Sequence, residues 1–493
     1  MPKRHISVAT RDHQPLDVMD ALRRRFDAIR AELDVPGEFP ADVLADAAAA
    51  ADRAAPDFPD RDETGVPFIT IDPPGSMDLD QALHIEEAQT EHGPGFRVRY
   101  AIADLPAFVT PGGPMDQEAR RRGQTIYAPD TRIPLHPTVL SEGAASLLPD
   151  QVCPAYVWDI HLGPDGAVTD GTVYRAMVRS VGRMDYEAVQ EQVDSGAAEG
   201  TVALLARVGP SRIERELARG GASLPMPEQQ VVKHDDGSYS VRFRPPLPAE
   251  EWNAQISLLT GMVAADIMLR HKVGILRTLP PPTRKTVAQF RRSARAIGVP
   301  WRKSVAYGAF LRSLDRTDPR HLALIFEATT LFRGSGYTEM RGEVPEQTLH
   351  AAVAAPYAHV TAPLRRLVDR FGLLVCAALE EGREVPQWVT DALPTLPAIM
   401  AETDRRANGV DRASADAVEA AVLHDAVGET FEVVVVDRMS RGKGSELVVQ
   451  VLEPAVIARA DGEGRLGSHV EAVLTTAEVE TSTVRFAVRS QRE

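Results

Sequence analysis

Three aspartates set the chemical question. In the run ITIDPPGSMDLDQALHIE, Asp72 closes an apolar stretch, a Pro-Pro-Gly turn follows, and Asp78 and Asp80 stand two residues apart. Alternation along an extended segment would point Asp78 and Asp80 to one side, and the turn would bring Asp72 beside them. Carboxylate oxygens grouped in this way suit a hard cation such as Mg2+, and Mn2+ accepts the same donors. Two such ions can activate a water and stabilise the leaving oxygen when a phosphodiester is hydrolysed. Acidic residues beside Pro and Gly also populate solvated loops, so the spacing by itself leaves both readings open. The EF-hand spacing and its terminal Glu are missing, which argues against a calcium loop.

Cations that could face such a site occur in YAHVTAPLRRLVDRF, residues 357–371. Here Pro363 suits the first turn of a helix, and Leu364, Val368, Phe371 and Val375 would form its apolar face. That arrangement places Arg366 and Arg370 on one polar face. Further basic clusters stand at Arg120-Arg121-Arg122 and at Arg405-Arg406 with Arg412. Read alone, each is as well explained as a solvated helix face. The segment 440–445, Ser-Arg-Gly-Lys-Gly-Ser, lacks the first glycine of a phosphate loop and the Ser or Thr after its lysine, and is better read as a basic hairpin tip able to touch a phosphate backbone. Neither a G-x-S-x-G elbow nor H-E-x-x-H occurs.

The elements that must position these groups are of mixed type. Val18, Leu22, Phe26, Ile29 and Leu33 recur at helical spacing, and the Ala-rich run 44–55 continues a helical lead-in. A Pro- and Asp-rich stretch at 56–64 marks a boundary, after which VPFITI reads as a buried strand. Alternation in Phe96-Arg-Val-Arg-Tyr-Ala-Ile predicts a half-exposed strand, whereas Trp252, Ile256, Leu259, Val263 and Ile267 follow a helix stripe. From Gly428 onward, short β-rich runs at 430–438, 445–452, 455–459, 469–476 and 483–488 predict a five-stranded OB-type barrel. The predicted fold class is α+β. Its parts are a helical segment at 1–60, a domain of mixed sheet and surrounding helices at 61–420 that carries the aspartates, and an OB-type barrel at 428–493, a module able to bind oligonucleotides.

Composition is that of an ordinary globular chain: 493 residues, 44% apolar and 25% charged. Cys153 and Cys376 are far apart in sequence and have no zinc-ligand spacing, which fits a reducing cytoplasm. The start MPKRHISVATRDHQP is unlike a secretory signal, and the apolar stretch 371–379 is too short to span a bilayer, so no membrane partner is expected. A net charge of −15 argues against indiscriminate coating of nucleic acid but not against an internal basic channel.

Three blocks in order resemble the ribonuclease II and ribonuclease R family, whose catalytic unit is the RNB domain. IDPPGSMDLDQALHI is similar to that family's acidic signature, residues 100–149 are similar to the stretch that follows it, and YAHVTAPLRRLVDRF is similar to its Thr-Ser-Pro-Ile-Arg-Arg-Tyr motif. The resemblance implies a 3′→5′ exoribonuclease that releases 5′-mononucleotides from single-stranded RNA. It implies metal ligation by Asp72, Asp78 and Asp80, with Asp78, Asp80 and Arg365 in the chemistry and Gln81 at the position of a fourth aspartate. The Arg365 fork would meet the scissile phosphate. RNA contacts are implied for Tyr127 in IYAPD, by stacking, and for Arg366, Tyr186 and His359. Taken from the residues alone, each of the two tyrosines and His359 serves equally as packing.

Departures from the family pattern are Gln81, Ala362 before Pro363, Leu367 after the paired arginines, and Gln255 in WNAQISLL where the family carries glutamate. The segment before Asp72 is also too short for paired cold-shock domains. These departures motivate an alternative, an RNA-binding protein on the same fold with weakened catalysis. Protein partners have no signature in the sequence.

Overall fold

The N-terminal periodicity forms α1 (Leu16–Glu32), which buries Val18, Leu22, Phe26 and Ile29, and α2 (Ala41–Asp52) follows with Val43, Ala47 and Ala50 turned inward. The computed structural model describes residues 16–52, 58–90, 93–222, 228–234, 238–244, 246–315, 317–441, 444–451 and 453–489. The start of the chain, the first two residues of the expected boundary at 56–64 and the Gly442-Lys443 hairpin tip therefore lie outside the described residues.

Strands β1 (Phe68–Ile71), β2 (Gln81–Thr90) and β3 (Gly93–Ala103) follow the boundary, and α3 (Pro114–Arg122) leads into a two-stranded ribbon, β4 (Ile126–Tyr127) and β5 (Arg132–Ile133). Then come β6 (Val152–Leu162) and β7 (Val168–Met184), and the order β1-β2-β3-β6-β7 closes into a barrel. Closure is made by parallel pairing of β1 with β7, Ile71 opposite Met184, while the other pairs are antiparallel. The sheet is thus closed on itself and leaves no edge. Cys153 to Ile160 on β6 are all buried, so both faces of this strand are covered.

The covering comes from helices. After α4 (Tyr186–Asp194), α5 (Gly200–Arg219), the ribbon β8 (Glu228–Lys233) with β9 (Tyr239–Arg244), and α6 (Pro248–His271), the hairpin partners β10 (Val273–Thr278) and β11 (Gly336–Arg341) bracket a helical cluster. That cluster is α7 (Arg284–Ala296), α8 (Tyr307–Arg312) and α9 (Pro319–Ala328), with its own core around Phe290, Phe310 and Leu324. Beyond β12 (Leu349–His350) and β13 (Ala355–Pro356), helices α10 (Leu367–Glu380), α11 (Gln387–Ala392) and α12 (Leu396–Val422) complete the layer. Tyr100, Trp158 and Ile160 of the barrel share one core with Ile256, Leu259 and Ile267 of α6 and Phe371 of α10.

The five expected C-terminal strands are β14 (Thr430–Arg441), β15 (Gly444–Val451), β16 (Val456–Asp461), β17 (His469–Glu478) and β18 (Thr483–Val488), a second closed barrel of order β14-β15-β16-β18-β17. It docks on α9 through Leu322 and Phe326 against Val434 and Val436. No helix among the described residues is long and apolar enough to cross a membrane.

One local expectation changes. The helix expected from Pro363 begins only at Leu367, because the Asp369 carboxylate takes the Ala362 N–H at 2.7 Å and both Nε and Nη2 of Arg366 at 2.8 Å. This holds Arg366 extended and keeps 362–366 in a turn. Arg366 and Arg370 accordingly share no solvated face: Arg370 is 1% exposed and bonded to Asp116 of α3 at 2.7 Å.

Candidate active site

The acidic segment between β1 and β2 is built by its turn. Ser76 N–H bonds the Pro73 carbonyl at 3.2 Å, Pro74 takes the first central position and Gly75 the second at φ +79, the arrangement that a type II turn demands and that a Cβ would strain. Asp72 stays at the end of β1, its N–H on the Met184 carbonyl at 3.2 Å. The far limb is pinned by Ser146, whose hydroxyl donates to the Met77 carbonyl at 2.6 Å and accepts the Leu79 N–H at 2.9 Å. Residues 72–80 are not strand, so the turn and these anchors, rather than the alternation expected from the sequence, orient Asp78 and Asp80.

Asp80 is the most constrained of the three. It is 2% exposed, Oδ1 accepts the Leu364 N–H at 2.7 Å, and Oδ2 accepts Arg365 Nε at 3.0 Å. Burial pushes its carboxyl up to about 7, with Arg365 and the Leu364 N–H opposing the shift. Asp72 is pushed up to about 6, again by burial first, and its Oδ2 is buried with no partner among the described residues. Asp78 is held from the opposite side, by Arg132 Nη1 at 2.5 Å and the Tyr127 hydroxyl at 3.1 Å. Among the described residues no three His, Cys, Asp or Glu side chains form a ready cage for a metal ion. Two of the three carboxylates face arginines instead.

Arg365 offers more than its bond to Asp80. Its two terminal nitrogens have no hydrogen-bond partner among the described residues, so the outer edge of the fork is free. Its backbone is clasped to the β4 region: Arg365 C=O accepts the Thr125 N–H, and Leu367 N–H bonds the Gly123 carbonyl, both at 2.9 Å. That clasp sets Arg365 on the same framework as Tyr127, which is 44% exposed.

The remaining sequence candidates divide. Tyr186 opens α4, and its hydroxyl accepts from Asn253 at 3.4 Å; burial and the neighbouring Asp72 push its phenol up to about 12. Gln81 spans two partners, donating from Nε2 to the Thr361 carbonyl at 2.6 Å and accepting the Tyr100 hydroxyl on Oε1. Its amide is therefore engaged in holding the Arg365 turn. The fork of Arg366 is occupied by Asp369, and His359 Nδ1 pairs with the Tyr337 hydroxyl at 2.7 Å amid Tyr337 and Tyr357. Gln255 does not reach the acidic segment; its amide is buried against Glu216 of α5 at 2.6 Å.

Sequence reasoning overlooked Arg132, Arg183, Asn253 and Ser257. Arg132 is the cross-strand partner of Tyr127, a pairing that the turn residues of APDT hint at. Arg183, at the end of β7, holds the Ser76 carbonyl at 3.1 Å. Asn253 and Ser257 stand four apart on α6, where Asn253 contacts the Ile71 carbonyl at 3.4 Å and Ser257 the Thr361 hydroxyl at 2.9 Å. Their helical spacing was the available signal.

A family model described as the RNB domain matches residues 60–375. The chain belongs to this family, that of ribonuclease II and ribonuclease R. In this RNB protein, residues 429–489 match the RNase II-type exonuclease C-terminal S1 domain, which is the second barrel. Among curated relatives, the exosome complex exonuclease RRP44 homolog A of Arabidopsis thaliana is 27% identical over 72% of this chain and 39% of its own length. Exoribonuclease 2 of Vibrio cholerae is 36% identical over 34% of this chain and 24% of its own. The chain thus spans well under half of these relatives. The apo form of RNase R from Mycoplasma genitalium superposes with a TM-score of 0.82 at 18% identity, over 95% of this chain and 78% of that one. Yeast Ssd1, described as a pseudonuclease, superposes at 0.67 and 14% identity over 92% of this chain and 58% of its own. Both likenesses concern the fold.

Proposed function

We propose that this RNB protein is a 3′→5′ exoribonuclease that hydrolyses single-stranded RNA to 5′-mononucleotides with Mg2+. The observation that carries the reading is the Asp80–Arg365 pair: a buried carboxylate fixes one edge of a guanidinium whose other edge is open. An arginine anchored in this way presents two parallel donors to a phosphate, and a fixed cation is most effective where negative charge grows during reaction. Beside it, the exposed Tyr127 ring supplies a face on which a terminal base can stack, worth roughly 1–3 kcal/mol per base. Asp78, between Arg132 and the Tyr127 hydroxyl, sets the orientation of that ring.

Mg2+ is the ion that an all-oxygen donor set suits. Asp72 Oδ2 is a buried oxygen without a partner among the described residues, and Asp78 and Asp80 would complete an all-oxygen group. A bound Mg2+ would lower the pKa of a water and offset charge on the phosphate. Tyr186 and Asn253, packed beside Asp72 and the end of β1, exclude solvent from that side. Substrate polarity and product follow the family resemblance.

A second reading has its own support. Asp80 and Asp78 are already paired with arginines, and one structural neighbour is described as a pseudonuclease, so an RNA-binding protein without cleavage is the rival. A 5′-labelled oligoribonucleotide incubated with and without Mg2+ distinguishes them. Stepwise shortening from the 3′ end, only with Mg2+, is expected; binding without shortening overturns the nuclease reading.

A further inference from the structure

In a chain of net charge −15, there is no Asp or Glu between Asp266 and Asp315, and residues 280–314 alone carry eight Lys or Arg. Seven of those fall on α7 and the loop after it: Arg284, Lys285, Arg291, Arg292, Arg295, Arg302 and Lys303. None of them forms an ion pair among the described residues, although most other arginines do. Lone cations self-repel, and a solvated helix face normally mixes both signs. The carboxylate that α7 does touch, Glu327 of α9, accepts from Ser293 at 2.7 Å and is half-buried, with burial raising its pKa.

The local architecture holds this charge in place. Phe290 and Ala294 bury one side of α7 in the helical cluster, which turns Arg284, Arg292 and Arg295 outward along a ridge of ~16 Å. Arg291 lies over Trp301 at 4.2 Å, and Trp301 stacks on Phe310 at 4.5 Å with an interplanar angle of 7°. The Arg291 Nε is buried with no partner among the described residues. Between the arginines runs a groove of about 390 Å³, floored by Pro282, Val287 and Ala288. Through α9 the cluster abuts the second barrel, and through the Leu279–His350 bridge it joins the region of His359.

We infer that the acid-free face of α7, with Arg302 and Lys303, is a second RNA-docking surface that grips the phosphate backbone of a long strand away from the carboxylate site. The choice of RNA among polyanions rests on the exoribonuclease reading. Phosphate is the chemistry that unpaired, closely spaced guanidinium groups recognise, and the apolar floor accommodates ribose and base faces.

The test is a salt titration of binding, in EDTA so that no strand is cut, comparing wild type with the combined variant Arg284→Gln, Lys285→Gln, Arg292→Gln, Arg295→Gln. All four side chains are exposed and leave Phe290 and Ala294 in place, and an unchanged circular dichroism spectrum verifies the fold. On a strand long enough to extend well beyond the active site, the slope of log K against log salt should become shallower by roughly 0.7 for each cation that had touched phosphate. On a strand just long enough to fill the site, the two proteins should agree. A variant retaining charge, Arg284→Lys, Arg292→Lys, Arg295→Lys, should keep the wild-type slope. Equal slopes for wild type and the glutamine variant on the long strand overturn the proposal. So does loss of polyglutamate binding by that variant while its RNA slope holds, which would assign the face to an acidic protein. A wild type that shows the expected slopes yet fails to cleave in Mg2+ overturns the exoribonuclease reading and leaves this surface standing.

Discussion

The two barrels of this chain solve the same problem and differ in what surrounds them. Each closes five strands with one parallel pair, β1 with β7 in the first and β16 with β18 in the second. The first is enclosed by helices, so β6 is buried on both faces, and the barrel's end carries three carboxylates and an arginine. The second keeps a solvated face, and β16 alternates buried and less buried positions from Val456 to Asp461. Its core is apolar, Val433, Val449, Leu474 and Phe486 among others. Enclosure is what makes raised carboxyl pKa values possible at Asp72 and Asp80; a half-wet barrel offers no such desolvation.

The sharpest break in that comparison is Asp80→Asn. The amide keeps the volume but loses the charge that orients Arg365, and turnover should fall by at least ~10²-fold to 10³-fold, the range seen when a preorganised electrostatic group is removed. RNA affinity in EDTA should stay within a few fold. Unchanged kcat at saturating Mg2+ would remove Asp80 from the chemistry. Phe486→Ala is its counterpart in the second barrel. Emptying this fully buried site should cost about 3–5 kcal/mol, visible in urea unfolding, while kcat on short strands persists. Were short-strand turnover to collapse as well, the barrels would not be separable in function.

Gln81 sharpens the first barrel further. Because its Nε2–H holds the Thr361 carbonyl, Gln81→Glu would replace a donor with a second acceptor and should cost about 1–3 kcal/mol. The Mg2+ midpoint for cleavage should not move down. A lower midpoint with intact stability would mean that this position lacks a ligand charge rather than serving as a pin.

The smallest effect concerns acid. His136 is fully buried with both ring nitrogens unpartnered among the described residues, and burial pushes it down to about 3. The unfolded chain therefore binds a proton that the folded one refuses, and His136 subtracts stability as pH falls from about 6.5. Asp72 and Asp80, at about 6 and 7 in the folded chain, act oppositely: they retain protons when folded, and their share of stability is lost as pH rises through that range. The sum is a shallow profile between pH 5 and 7. In His136→Gln the opposing term disappears, so acidification over this window should favour the variant progressively over wild type in urea midpoints. A constant gap would place the histidine's titration elsewhere.

Legibility in the sequence followed the same divide. All five strands of the second barrel were readable because one wet face preserves alternation and glycines mark the turns. Helix α6 was readable from its stripe. Within the acidic segment the residue types were legible and their placement was not: extended alternation was expected where a type II turn and Ser146 do the positioning. The Arg365 turn was hidden for a related reason, since the carboxylate that delays α10 comes from Asp369, inside the helix itself. Arg132 was invisible until pairing with Tyr127 across the ribbon gave it a direction.

The clasp between 123–125 and 365–367 ties two separate parts of the chain into one unit. Through it, the Tyr127 ring and the Arg365 fork belong to one hydrogen-bonded ribbon, with Gly123 at φ +69 letting the backbone turn into it. A ribbon of that kind is a ruler. On the exoribonuclease reading, the interval between stacking and scission is written into the protein and not into the substrate, so every step would remove the same length of chain whatever bases it carries.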